Sequence, residues 1–208
     1  MSRLSIYQVT TENVVAATQT PTVAGPIKLV APQVTFPGFA TQLLFTFVGD
    51  WTATFYTING INENGIETSD GPIRGGVNSG FNTVVYFKTV TSITFAGTPP
   101  LTGSLTVTDG SAAITDWCLV DINRNYCGIS VQVELDPGQA CTFSLQKTLL
   151  PRFYNGVDYG PPVTFPFASV NASTSNVFAS ESTPLTAVRC FFSRVAGNPT
   201  VIVCQQGI

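Results

Sequence analysis

Residues able to do chemistry are scarce in this chain, and the missing type is the informative one: it contains no histidine. Histidine is the side chain that titrates nearest neutrality, the usual general base and the usual transition-metal ligand. Its absence removes the Ser–His and Cys–His dyads together. Five cysteines remain, Cys118, Cys127, Cys141, Cys190 and Cys204, and none are in C-x-x-C spacing. Without histidine a zinc site would need four of these thiolates at compatible positions. They read instead as buried free thiols, used as small apolar residues. Cys190 and Cys204 lie symmetrically about position 197, so an alternative is a disulfide across a terminal hairpin. The odd cysteine count and a reducing compartment argue against it.

The carboxylates pair no better. Asp116 and Asp121 are an odd number of residues apart, so a regular strand would point them to opposite faces. Glu67 and Asp70 lie in a Gly-flanked turn segment with no base beside them and read as solvated loop charges. Hydroxyls are plentiful, yet there is no G-x-S-x-G elbow and no phosphate loop ending in Lys-Ser/Thr. GGVNSG (75–80) reads as a hairpin loop. No catalytic, cofactor-binding or metal-binding residue is assigned, and the chain is expected to be neither an enzyme nor a cofactor carrier. One loop has ligand-like chemistry: PRFYNGVDYGPP (151–162) offers Phe153, Tyr154 and Tyr159, with Asn155 and Asp158 beside them, a set able to stack on sugar rings. The plainer use of those rings is to fold onto their own sandwich or a neighbouring subunit.

The elements that hold these residues are strands. Charged residues are 10% of the chain, against about 25% in ordinary globular proteins. Apolar residues are 44%, too many for a disordered chain. The net charge is −3 and the nine basic residues are scattered singly, which excludes a phosphate-binding surface. No apolar run is long enough for a spanning helix, and MSRLSIYQVTTENVV lacks the apolar stretch of a signal peptide, so assembly in a cytoplasm is expected. Helical periodicity is missing while 14 Pro and 18 Gly punctuate the chain. Strand signals recur at 43–49, 52–60, 83–97, 104–110, 113–120, 128–135, 141–149, 187–195 and 200–206, which makes the fold class all-β.

Alternation is sharpest at Ile129, Val131, Val133 and Leu135, and again at Cys141, Phe143 and Leu145. Flanking Asp136-Pro137-Gly138-Gln139, these runs read as one hairpin with a single buried face. A second hairpin is expected about Gly197-Asn198, with Phe192, Val201 and Val203 in the core. Trp51 and Trp117 read as core, and Lys88 as an outward charge guarding a strand. Residues 1–40, broken by four prolines between 21 and 37, read as an extended arm carrying edge strands. Leu29, Val30, Val34 and Phe36 are its anchors for contact with a partner or a sister subunit. The expected division is an arm at 1–40, a β unit at 41–110 and a β-sandwich at 111–208.

Motifs along the chain resemble virion proteins of tailed bacteriophages. ATFYTING, INENGIETSDG, GGVNSGFN, FKTVTSITFAG and GSLTVTDG are similar to a strand-and-turn module common in such proteins. TDWCLVDINRNYCGISVQVEL, FSLQKT and PLTAVRCFFSRVAGNPTVIVCQQGI resemble a β-sandwich that recurs in capsid-associated and neck proteins. The likeness covers 51–149 and 184–208. It implies a virion structural protein, foremost a cement or decoration protein binding between capsomers, with the major capsid protein or neighbouring virion proteins as partners. A neck, head–tail connector or tail component is the alternative within that class, and a glycan- or receptor-binding β module the alternative from another. Low charge and an apolar arm favour a homo-oligomer, with a trimer expected at three-fold sites. Neither nucleic acid nor membrane is expected as a partner.

Overall fold

The computed structural model describes residues 3–10, 13–120, 126–150, 153–154, 157–158, 160, 162–167, 170–182, 185–195 and 197–207. All regular structure among them is strand. In chain order these are β1 (Arg3–Gln8), β2 (Val14–Gln19), β3 (Gly25–Pro26), β4 (Val34–Thr35), β5 (Phe39–Val48), β6 (Thr54–Asn62) and β7 (Glu67–Arg74). Then come β8 (Gly80–Asn82), β9 (Phe87–Gly97), β10 (Ser104–Thr115), β11 (Cys118–Leu119), β12 (Tyr126–Glu134) and β13 (Thr142–Thr148). The last six are β14 (Phe153–Tyr154), β15 (Val157–Asp158), β16 (Phe165–Pro166), β17 (Val177–Glu181), β18 (Ala187–Arg194) and β19 (Thr200–Gly207). The fold is all-β.

Two compact units divide the chain: Met1–Thr11 with Ala112–Ile208, called here the sandwich unit, and Glu12–Ser111, the inserted unit. The boundary between the β units falls inside β10, at Ser111/Ala112. The first forty residues do not stand apart as an arm but are shared between the two units.

In the sandwich unit one sheet has the order β1-β19-β12-β17. The other runs β16-β13-β18, with the end of β10 and then β11 along the free side of β18. All of these pairings are antiparallel. Counting β10-end with β11 as one strand and leaving aside the small β14–β15 hairpin, eight strands alternate between the sheets at every step except β13 to β16. In chain order the sheets are 1-8-3-6 and 2-7-4-5, the double-sheet arrangement of a jelly roll. Alternation explains it. Ile129, Val131, Val133, Val201 and Val203 are buried on one sheet, and Phe143, Leu145, Val188, Cys190 and Phe192 on the other.

This corrects both expected hairpins. β12 and β13 share no pairing; β12 lies between β17 and β19, and β13 between β16 and β18. β18 and β19 likewise belong to different sheets. Each turn carries the chain from one sheet to the other. Two alternating runs around a reversal bury one face each in a hairpin or across a sandwich, so the pattern identifies the faces and leaves the partner open. Cys190 accordingly sits opposite Leu145 and Cys204 opposite Ser130, both as free thiols.

The inserted unit is built on β5, β6, β9 and β10. β9 pairs with β6 over nearly its whole length, and β6 with β7 in a hairpin closed at Asn62–Ile66. β8 lies against β5, and β2 against β10. Phe45, Phe47, Trp51, Tyr56, Phe81 and Phe95 form one aromatic cluster, with Phe45 and Phe81 stacked at 4.5 Å between centroids. The loop 75–80 runs beside 47–51, where Gly49 N–H donates to Asn78 Oδ1 and Asn78 N–H to Gly49 O. Residues 25–36 follow the second edge of β9 through Gly25–Phe95, Ile27 to Ile93, Val34–Val90 and Phe36 to Lys88. The strands of the expected arm therefore find backbone partners inside their own chain.

Candidate interaction surface

The segment 27–30 is held from both sides before it presents anything outward. Ile27 N–H donates to Ile93 O on β9, and Val30 N–H to Val15 O on β2. Between them the Gln19 side-chain amide acts as an extra peptide group: Nε2 donates to Lys28 O at 3.0 Å and Oε1 accepts from Lys28 N–H at 3.1 Å. Ile27 is buried beneath, Leu29 is half-buried, and Val30 is 54% exposed. Two open hollows flank the segment. One of about 470 Å³ is lined by Pro26–Pro32 and Thr91–Ile93; one of about 300 Å³ lies against Ala17–Gln19. A third, about 510 Å³, shares Thr91 and continues over Asn59–Ile61 and Glu67–Ser69. Thr91 Oγ1 donates to Asn59 O across its floor. The lining is hydroxyl, amide and aliphatic, with Lys28 and Glu67 as its only charges. This is a broad shallow surface, unlike the enclosed apolar pocket that holds a small molecule.

The structure separates the four proposed anchors. Leu29 and Val30 lie on this surface, while Val34 is half-buried in β4. Phe36 is 2% exposed, with its ring 5.6 Å from that of Phe39, so it serves the core of its own unit and is not a partner contact. Phe153 and Tyr154 form a two-residue strand against Val157–Asp158. Their side chains, and Tyr159 altogether, lie outside the described residues. Asp121 does as well.

A second surface, missed in the sequence, is the outer face of the β1-β19-β12-β17 sheet. Register sets Ile6, Ile202, Gln132 and Phe178 in one row across all four strands. Ile6 is 61% exposed and Phe178 71%, with Ile202 half-buried between them. The signal was available in the alternation of β19, where Ile202 must oppose the buried face of Val201 and Val203. In β17 the signal is weak, because the strand is short and follows the polar run Asn171–Asn176.

Burial and hydrogen bonding shift several titrating groups. Burial pushes the Tyr56 phenol up to about 12, against a hydrogen bond with Thr54 that favours ionisation. Burial, then the Glu63 carboxylate, raises Tyr86; burial, then Cys141, raises Cys190. These three are held in their neutral forms. Hydrogen bonds from Thr52 lower Asp50. Asp70 accepts the Val84 and Val85 N–H groups at 2.7 and 3.1 Å and so closes a loop. Trp117 is half-buried under the Arg189 guanidinium, 4.4 Å from its ring centroid. Among the described residues no three His, Cys, Asp or Glu side chains gather as a metal site.

No protein-family model matches the chain. No curated protein matches it. Among solved structures it is similar to infectious bursal disease virus, Gx strain, at 10% identity and a TM-score of 0.25, covering 99% of this chain and 70% of that one. A conserved protein of unknown function from Pseudomonas aeruginosa PAO1 gives 11% identity and a TM-score of 0.19, covering 98% and 80%. T=1 particles derived from infectious bursal virus give 10% identity and a TM-score of 0.20, covering 100% and 74%. The likeness to viral capsid proteins is weak, and it carries no residue of theirs onto a residue here.

Proposed function

We propose that this protein is a structural component of a virus particle, a capsid-associated β protein of the cement or decoration kind in a bacteriophage. The observation that carries the reading is the strand order of the sandwich unit, 1-8-3-6 over 2-7-4-5, with a whole second β unit inserted in its first connection. Jelly rolls serve as shell, lectin and cupin domains. A chain without histidine is a poor metal cupin. Little charge to oppose association, together with exposed Ile6, Val30 and Phe178, suits a chain held against neighbours. In this reading Leu29 and Val30 touch the capsid or an adjoining virion protein, and no step of catalysis is required.

Peptide mass spectrometry of gradient-purified particles tests it. The expected result is this chain in many copies per particle, released as shells are destabilised. Its absence from particles, with recovery only from the soluble lysate, overturns the proposal.

A further inference from the structure

Edges of β-sheets are templates for further pairing, and proteins usually guard them with proline, charge or a covering loop. The edges in this chain are treated unequally. β7 carries Pro72, which has no N–H to offer, and Asp70 draws residues 84–85 to it. β16 is only two residues long and ends in Pro166. β1 closes the opposite end of the sheet from β17. β17, Val-Phe-Ala-Ser-Glu, ends the order β1-β19-β12-β17 with no proline and no glycine. Its single charge, Glu181, is drawn into an ion pair with Lys147 on β13.

We propose that β17 is a self-association edge, on which β17 of a second copy of this chain pairs antiparallel about a two-fold axis. Centring on Ala179 pairs all five residues: Ala179 with its own mate, Phe178 with Ser180 of the second copy, and Val177 with Glu181. No like charges are opposed, and the Glu181 carboxylate, held by Lys147, does not have to be stripped of its counter-charge. Phe178, which is 71% exposed in the single chain, then lies diagonal to its own mate, within aromatic reach on the outer face. The row Ile6–Ile202–Gln132–Phe178 becomes one half of a continuous eight-strand surface. A two-fold contact is isologous and closes on itself, so it yields a discrete pair and not a filament. The three-fold expectation rested on where auxiliaries sit on shells; this edge carries a two-fold one, and it is read in solution whether or not the particle assignment holds.

Sedimentation equilibrium of the full chain at micromolar concentration tests the proposal, comparing the wild type with Phe178→Lys, Ser180→Lys and Ile6→Lys. The expected result is a dimer that both β17 variants weaken by about tenfold or more, while Ile6→Lys, at the opposite edge of the same face, leaves it unchanged. Circular dichroism identifies a variant that has lost its fold, and the other β17 variant then decides. A wild type that stays monomeric, or a dimer indifferent to the folded β17 variants, overturns the proposal.

Discussion

Asp136 Oδ2 accepts a hydrogen bond from the backbone N–H of Asn198 at 3.0 Å, joining two chain reversals that are 62 residues apart in sequence. The first carries the chain from β12 to β13 and the second from β18 to β19, so each crosses between the sheets of the sandwich. The bond ties the two crossings side by side. Asp136→Ala should destabilise the chain by about 1 kcal/mol, seen as a lower denaturant midpoint at unchanged slope. Asp136→Asn, which keeps an acceptor, should recover part of that loss.

The same two turns offer a controlled comparison of backbone strain with contact. Gly138 and Gly197 both hold positive φ, 80° and 76°. A Cβ at 138 would meet nothing within 4 Å, whereas one at 197 would lie 2.6 Å from Gln139 Cγ. Gly138→Ala should therefore cost only the left-handed backbone penalty, about 1–2 kcal/mol. Gly197→Ala should cost more in parallel urea titrations. Equal losses would show Gln139 stepping aside freely.

Phe192 is fully buried, with the Phe143 ring 5.9 Å away. Phe192→Ala should cost about 3–5 kcal/mol in lost transfer energy and residual cavity. A melt that barely moves would place that ring outside the core.

High pH should weaken the inserted unit. The phenol of Tyr56 ionises in the unfolded chain near 10.0 and in the folded chain at about 12. Between those values the unfolded state releases a proton that the folded state keeps, so stability is intact below about pH 10 and falls as pH rises through about 12. Tyr56→Phe should flatten this part of the stability–pH curve, with the raised Tyr86 leaving a smaller slope of the same sign.

The ends of the inserted unit are stitched together: Asp109 N–H donates to Asn13 O at 3.0 Å and Asn13 Nδ2 to Asp109 Oδ2 at 3.0 Å. A fragment of residues 12–111 should therefore fold alone, giving dispersed amide resonances and a cooperative melt. A collapsed, non-cooperative spectrum would show that it depends on the rest of the chain.

What was legible in the sequence followed from local physics. Period-2 alternation at Ile129–Leu135 and Cys141–Leu145 located the buried faces, and most strands lie where β-branched and aromatic residues cluster. Partner choice was not legible, because Asp136-Pro137-Gly138 reverses the chain equally well within a sheet or between sheets. β7 was hidden by Pro72 and its carboxylates inside what read as a turn, and β17 by its brevity. Residues 1–40 showed their apolar character but not its destination. Val15, Ile27 and Phe36 are buried in the inserted unit, and β1 is a strand of the sandwich unit. Deleting residues 2–35, which a detachable arm would tolerate, should leave an unfolded or aggregating chain. Of the four anchors read in the sequence, Leu29 and Val30 lie on the candidate surface. The outer-face row was not legible, since it exists only once β1, β19, β12 and β17 are in register.

The most direct measurement of the central claim is a cryo-electron map of the purified particle at a resolution that traces strands. The expected result is density for the 1-8-3-6 and 2-7-4-5 sandwich repeated over the shell, with the Leu29–Val30 segment against a neighbouring protein. Density absent from the shell, or present only at the tip of a receptor-binding fibre with the segment facing solvent, would contradict it.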